Sequence, residues 1–264
     1  MKYLSMLAAL CCAAFVLVSC SKKDDKVLVM ASSLDFAPYE SIGDDGQPVG
    51  IDVEMAQTIC QKLGYTLKIE NMDFDSILAA VQSGKADLGI SGFTITEERK
   101  QSVDFSIPYI DAAQVILVRE GSPVKGMEDL KGKKISAQSG TTGADYAAKE
   151  LGDEYVETYQ NYAEVIQALL SGKVEAAVLD DGPARQHAKA NPGKLVALAK
   201  PMTVEHYGIA FKKGNDALRQ AFDAELKALI DSGKMQEICA KHAPEIFGNM
   251  QESCAKPAPE IFSK

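Results

Sequence analysis

The sequence predicts an α/β protein built as two lobes, and three observations carry that reading. Helix-period and strand-period apolar segments alternate along the chain. One unit of helix end, glycine and strand occurs twice. Each copy places polar residues just past the carboxyl end of its strand. The first copy is Ala80-Val81-Gln82-Ser83-Gly84-Lys85-Ala86-Asp87-Leu88-Gly89-Ile90, and the second is Leu169-Leu170-Ser171-Gly172-Lys173-Val174-Glu175-Ala176-Ala177-Val178. In both, a glycine suited to a left-handed C′ position closes the helix. The strands end in Ser91-Gly92 and Asp180-Asp181-Gly182, and ligands of open α/β sheets sit beyond such ends. The copies lie about 88 positions apart, so each lobe offers one rim to a shared site.

Residues 1–19 stand outside the fold as a signal peptide. Lys2 precedes an apolar stretch from Leu4 to Val18 that closes on Leu17-Val18-Ser19-Cys20. That stretch is too short for a comfortable bilayer span, and the charged segment Ser21-Lys22-Lys23-Asp24-Asp25-Lys26 follows at once. Its end resembles a bacterial lipobox, which implies cleavage before Cys20 and lipidation of that thiol, with 20–26 as the lipidated linker. The protein is then expected to be exported, to the periplasm or the outer face of the cell membrane, and anchored by lipid without a transmembrane helix. Cleavage leaves about 245 residues and moves the formal net charge from −9 to about −10. An acidic balance disfavours nucleic acid and anionic lipid surfaces as partners.

The elements follow in order. Residues 27–32 read as an apolar strand, 52–63 as an amphipathic helix stopped by Gly64, 65–69 as a strand and 74–82 as a helix. Cys60 lies on the apolar side of the first helix with Val53, Ala56, Ile59 and Leu63, so a buried thiol is expected. Residues 114–118 form a strand after Pro108-Tyr109, and Leu130-Lys131-Gly132-Lys133-Lys134-Ile135 turns into another. Ser139-Gly140-Thr141-Thr142-Gly143 joins it to a helix over 144–151. A late strand over 207–211 precedes a long helix at 216–230 and a shorter one after Gly233. The segment from Cys239 to Phe247 recurs from Cys254 to Phe262, so 248–264 reads as a duplicated tail. Cys239 and Cys254 could bridge in an oxidising compartment. No Cys-x-x-Cys or His-x-x-x-His pair occurs, so neither a metal nor a cofactor is expected.

Arg99 is the most informative single residue. In Thr94-Ile95-Thr96-Glu97-Glu98-Arg99, Thr96 is placed to cap a helix, and Glu97 and Glu98 suit the positive end of its dipole. A cation in that first turn is unfavourable by roughly 0.3–1 kcal/mol. A guanidinium beside several unpaired backbone N–H groups, however, makes a receptor for a carboxylate.

Several motifs together resemble the polar amino-acid-binding proteins of ABC importers, with the arginine-type binders most similar. They are Phe36-Ala37-Pro38-Tyr39, Val49-Gly50-Ile51-Asp52-Val53, Gly92-Phe93-Thr94-Ile95-Thr96-Glu97-Glu98-Arg99 and Asp104-Phe105-Ser106-Ile107-Pro108-Tyr109. Asp129-Leu130-Lys131-Gly132, Gln138-Ser139-Gly140-Thr141-Thr142 and Tyr207-Gly208-Ile209-Ala210-Phe211 continue the match. The resemblance implies the type II periplasmic-binding-protein fold, a Venus-flytrap of two α/β lobes joined by two crossing hinge strands. The crossings are expected near 109–113 and 203–207. Lobe 1 then comprises 27–111 and 206–247, and lobe 2 comprises 112–205.

The same resemblance assigns roles. Arg99, with Thr94 and backbone N–H groups, takes a ligand's α-carboxylate, and Thr142 adds a second contact from lobe 2. Asp181 receives the ammonium together with the Gly92 carbonyl, with Asp180 as the alternative. Phe36 and Phe74 wall the ligand's side chain by desolvation and cation–π attraction. Ser33, Ser91 and Gln138 help to choose that side chain. Ser33 stands where some relatives that bind basic amino acids carry aspartate, and Gln138 lies near a lysine of some glutamine binders. The implied partners are a free amino acid, the permease subunits of an ABC importer, and the membrane through Cys20, with the protein itself a monomer. Arginine or another basic amino acid is the expected ligand, with glutamine or a neutral polar one as the alternative. A sensory module is a second reading. An exported enzyme resembling cyclohexadienyl dehydratases is a third, and only Asp35 and Glu40 offer themselves as its acid. Neither a Gly-x-Ser-x-Gly nor a Walker loop occurs.

Overall fold

The computed structural model describes residues 26–244. The signal segment, Cys20 with its linker as far as residue 25, Cys254 and the duplicated tail lie outside the described residues, and Lys26, expected in the linker, opens the first strand. Strand β1 (Lys26–Ser32) leads into a small three-stranded flap of β2 (Asp35–Phe36), β3 (Glu40–Ile42) and β4 (Pro48–Val49). Helix α1 (Ile51–Leu63), β5 (Tyr65–Asn71), α2 (Phe74–Ser83) and β6 (Leu88–Gly89) follow. A 3-10 turn at Arg99–Gln101 precedes β7 (Val103–Phe105) and β8 (Ile110–Ala112). Next come β9 (Gln114–Arg119), β10 (Ile135–Gln138), α3 (Thr142–Leu151), β11 (Val156–Tyr159), α4 (Tyr162–Leu170), β12 (Ala176–Asp180), α5 (Asp181–Ala190) and β13 (Leu195–Ala197). The chain then runs through β14 (Glu205–Tyr207), β15 (Ala210–Lys212), α6 (Asp216–Asp231) and α7 (Lys234–His242).

Two five-stranded sheets result, ordered β5-β1-β6-β15-β7 and β11-β10-β12-β9-β13. Their plans are equivalent. Three parallel strands are followed by one antiparallel strand, β15 in the first sheet and β9 in the second, and by an edge strand antiparallel to it. The two inserted strands are the ones that adjoin the crossing. There β8 and β14 pair antiparallel, with Ile110 opposite Tyr207 and Glu205 opposite Ala112. A first sheet completed by β15 explains why its chain is discontinuous.

Local sequence sets these elements. Strand β12 is buried along its whole length and β9 along all but its last residue, as unbroken apolar runs covered on both faces should be. Helix α1 carries Asp52 and Glu54 in its first turn and ends at Gly64 with φ 76°, where a residue with Cβ would be strained. Its inward face, with Ile51, Met55, Ile59 and Cys60, packs with Leu226 and Leu229 of α6 and Ile238 of α7. Burial pushes the Cys60 thiol up to about 11, so it is the inert buried thiol expected. Helix α7 docks by Met235, Ile238 and Cys239, with Lys241 and His242 both reaching Glu54 of α1.

Two expected elements differ. Residues 207–211 are two strands, because Tyr207 belongs to the crossing and Ala210 pairs with Gly89 and Phe105 in the first sheet. The break falls at Gly208, where an added Cβ would stand 2.8 Å from the Ile95 side chain. The expected helix at Thr96 is only a 3-10 turn. Its cap is present, with the Arg99 amide donating to Thr96 Oγ1 at 3.1 Å.

Candidate functional site

A cavity lies between the two sheets at their strand ends. Ser33, Asp35, Phe36, Phe74, Ser91, Gly92, Thr94 and Arg99 line it from one side, and Gln138, Thr141, Thr142, Tyr162 and Asp180 from the other. Every residue expected at the site is therefore brought together except Asp181.

Arg99 is held from beneath and from both sides. Its guanidinium lies 5.6 Å from the Phe74 ring centroid and 5.3 Å from that of Phe93, rings that stack on each other at 4.6 Å. Nη1 donates to the Thr94 carbonyl at 2.9 Å, and Nη2 reaches across to the Gly140 carbonyl at 3.0 Å. The fork still has donors to spare for an anion. Burial lowers the Arg99 pKa, and the charges of Asp180 and Glu205 oppose that shift. Phe74 thus does two things at once: it lines the cavity and seats the cation.

Asp180 faces Arg99 from the end of β12. It is 5% exposed and accepts from the Tyr207 hydroxyl at 2.6 Å. Burial, then the nearby Glu205 charge, pushes its carboxyl up to about 7. Asp181 stands in the first turn of α5. Its amide donates to the Ala113 carbonyl at 2.9 Å, and its carboxylate pairs with Arg185 one turn on at 3.2 Å. The cavity is thus lined by Asp180, the alternative, and not by Asp181. The strand continues one residue further than the apolar run suggested, and the helix begins at Asp181.

Both expected threonines are present, but their hydroxyls are turned. Thr94 Oγ1 donates to Glu205 Oε2 at 2.7 Å and Thr142 Oγ1 to the same oxygen at 3.0 Å. The helix cap of α3 is Thr141, whose Oγ1 accepts from the Ala144 amide at 3.2 Å. A hydroxyl has one proton, so neither threonine side chain can at the same time donate to a ligand carboxylate.

The aromatic wall is larger than expected. Phe36 stacks on Tyr39 at 5.2 Å and on Tyr162 at 5.5 Å. Asp35 was noted in the sequence only as a loose candidate acid. It lies on the wall, accepting from Ser33 Oγ at 2.8 Å and from the Tyr162 amide, at the start of α4, at 2.8 Å. Burial raises its pKa. Gln138 is tied to the Gln160 carbonyl at 3.0 Å.

Ser91 and Gly92 rest on two fully buried carboxyl groups. Ser91 Oγ donates to Glu40, while the Gly92 amide (3.1 Å) and the Tyr109 hydroxyl (2.8 Å) donate to Asp52 Oδ2. Burial and the Asp52 charge push Glu40 well above the usual carboxyl range, and burial takes Asp52 to about 6. Glu40 Oε2 and Asp52 Oδ1 have no other partner, which suits two carboxyl groups sharing a proton. Glu40 is therefore committed to the strand end and does not line the cavity.

Opposite charges facing each other across a cleft between two hinged lobes define a receptor for a small solute. The comparisons agree. The profile of the bacterial extracellular solute-binding proteins, family 3, matches residues 28–245, and the chain belongs to that family. It is 34% identical over 251 residues to a protein of Neisseria gonorrhoeae described as "Probable histidine-binding protein", covering 89% of this chain and 93% of that one. It is 33% identical to the arginine-binding extracellular protein ArtP of Bacillus subtilis, covering 91% and 97%. Among solved structures it is similar to the arginine-, lysine-, histidine-binding protein ArtJ of Geobacillus stearothermophilus, with a TM-score of 0.79, 40% identity, and coverage of 83% of this chain and 96% of that one.

Proposed function

We propose that this protein captures arginine or another basic amino acid outside the cytoplasm and delivers it to an ABC importer. The placement of Arg99 and Asp180 on opposite walls of one cavity carries this reading. Arg99 takes the α-carboxylate, and Asp180 takes the ammonium with the Gly92 carbonyl. A zwitterion satisfies both walls only when the lobes meet, so it biases the open–closed equilibrium by contacts made in one state alone. Segments 27–111 and 206–247 move as one lobe against 112–205.

Charge favours a basic side chain. Once the zwitterion has engaged Arg99 and Asp180, Asp35 remains as a carboxylate on the wall beside Phe36 and Tyr162. A cationic head gains from that charge and from the ring faces, while the rings desolvate its alkyl stem. Ser33, Ser91 and Gln138 border the same end and tune the choice. The relatives' described ligands, arginine, lysine and histidine, support the same class. The chain performs no catalysis in this reading, acts as a monomer, docks on permease subunits in its closed form, and is anchored through lipid on Cys20.

A thermal-shift panel of the amino acids tests it. A ligand at about 100 times its Kd stabilises by roughly 2.7 kcal/mol, and arginine, lysine or histidine should give the largest rise in Tm. A panel in which no amino acid moves Tm refutes the reading.

A further inference from the structure

Glu205 was not singled out in the sequence and does not line the cavity. It nevertheless gathers groups from both lobes. Its Oε2 accepts from Thr94 on one wall, from Thr142 on the other, and from Gln114 Nε2 at 3.3 Å. Its Oε1 accepts from Thr203 Oγ1 at 3.0 Å, and Thr203 in turn receives the Gln114 amide at 2.8 Å. The residue is 6% exposed and sits on β14, in the crossing itself.

The consequence is one of polarity. A carboxylate can only accept, so the threonine protons point at Glu205. What Thr94 Oγ1 then has left for the cavity is its lone pairs. We propose that Glu205 is a positioning residue for ligand capture: it takes the hydroxyl proton of Thr94 so that Thr94 presents an acceptor to the ammonium of the bound amino acid, beside Asp180. The inference rests on the reading of the cavity as an amino-acid site. It assigns Thr94 to the ligand's ammonium end, and leaves the carboxylate to Arg99. Because the same oxygen also binds Thr142, this polarity is set most firmly when the lobes are together.

A double-mutant cycle on the full mature chain tests the proposal, using calorimetric titration with L-arginine and L-glutamine. Glu205→Gln replaces one accepting oxygen by a donor, and Thr94→Val removes the hydroxyl. Each alone should weaken binding by about thirtyfold. Together they should cost no more than about threefold beyond the larger single loss, because both remove the same acceptor. Thr94→Ser, which keeps the hydroxyl, should bind within about threefold of wild type. Losses that multiply would mean that Glu205 acts on binding by a route that does not pass through Thr94, and that outcome overturns the proposal, as does wild-type affinity in Glu205→Gln. If Glu205→Gln fails to fold, Glu205→Asp, which withdraws the acceptor, carries the same cycle. Failure of the wild-type protein to bind any amino acid would overturn the underlying reading as well, whereas wild-type binding with multiplying losses removes the Glu205 assignment only.

Discussion

Asp180 and Asp181 are chain neighbours that end in opposite surroundings. One closes a buried strand and turns into the cavity, and the other opens a helix and pairs with Arg185. Either aspartate reads as a helix-start residue before Gly182-Pro183, so sequence pattern alone does not separate them. What separates them is register: β12 pairs with β9 as far as Asp180 opposite Gln114, and pairing partners are not written in a local stretch. Arg99 lines the cavity as expected, but the helix whose dipole it was expected to oppose is only a 3-10 turn, so what places it there is its seat on Phe74 and Phe93 and its bonds to the Thr94 and Gly140 carbonyls. Glu205 was illegible because nothing in its neighbourhood announces that residues 94, 114 and 142 converge on it. Asp180→Asn should weaken amino-acid binding by about a hundredfold or more, since it removes the ammonium's anionic partner. Asp181→Asn should stay within about threefold of wild type. Titration calorimetry of the pair decides between them, and the reverse ranking would restore Asp181 to the site.

At the scale of elements, the segments with the plainest periodicity were readable nearly to the residue. Helices α1, α2 and α6 and strands β1 and β9 fall where apolar spacing, caps and glycines put them. The flap β2–β4 and the break between β14 and β15 did not, because two- and three-residue strands carry no period of their own and tertiary pairing creates them. The strand end that builds the site shows how tightly such pieces are fitted. Gly92 has φ 56°, and a Cβ added there would stand 2.4 Å from Phe36 Cε1. Phe36 cannot simply retreat, being stacked between Tyr39 and Tyr162. Gly92→Ala should therefore cost about 1–3 kcal/mol through strain and overpacking, a fall in Tm of roughly 3–10 °C. It should also abolish high-affinity binding, because Phe36 and the Gly92 carbonyl shift together. A variant with unchanged melting and unchanged affinity would show that this wall yields more easily than its contacts imply.

Over the whole molecule, burial raises the pKa of several carboxyl groups, most of all Glu40, well above its usual range, Asp52, to about 6, and Asp180, to about 7. The sign follows from linkage. An unfolded chain loses these protons near pH 4, whereas the folded chain keeps them, so stability falls as pH rises from about 4 through the folded values. Each group that still holds its proton removes about 1.4 kcal/mol per pH unit. For Asp180 the loss is on the order of 4 kcal/mol by pH 7. His187, whose pKa burial lowers, works the other way below about pH 6.5. Ligand-free protein should therefore melt several degrees lower at pH 8 than at pH 5.5. Ligand changes the balance at one of these positions. An ammonium beside Asp180 stabilises the ionised carboxylate, so affinity should weaken about tenfold for each pH unit below 7 and binding at pH 7 should release about half a proton. The rise in Tm produced by saturating L-arginine should accordingly be larger at pH 8 than at pH 5.5. Scanning calorimetry with and without ligand at those two pH values, with titrations at pH 7 in two buffers of different ionisation enthalpy, measures both effects. A ligand-free Tm that climbs toward pH 8, together with buffer-independent binding heats, would mean that Asp180 is already ionised in the empty protein and that its burial is less complete than its contacts with Tyr207 and β12 make it.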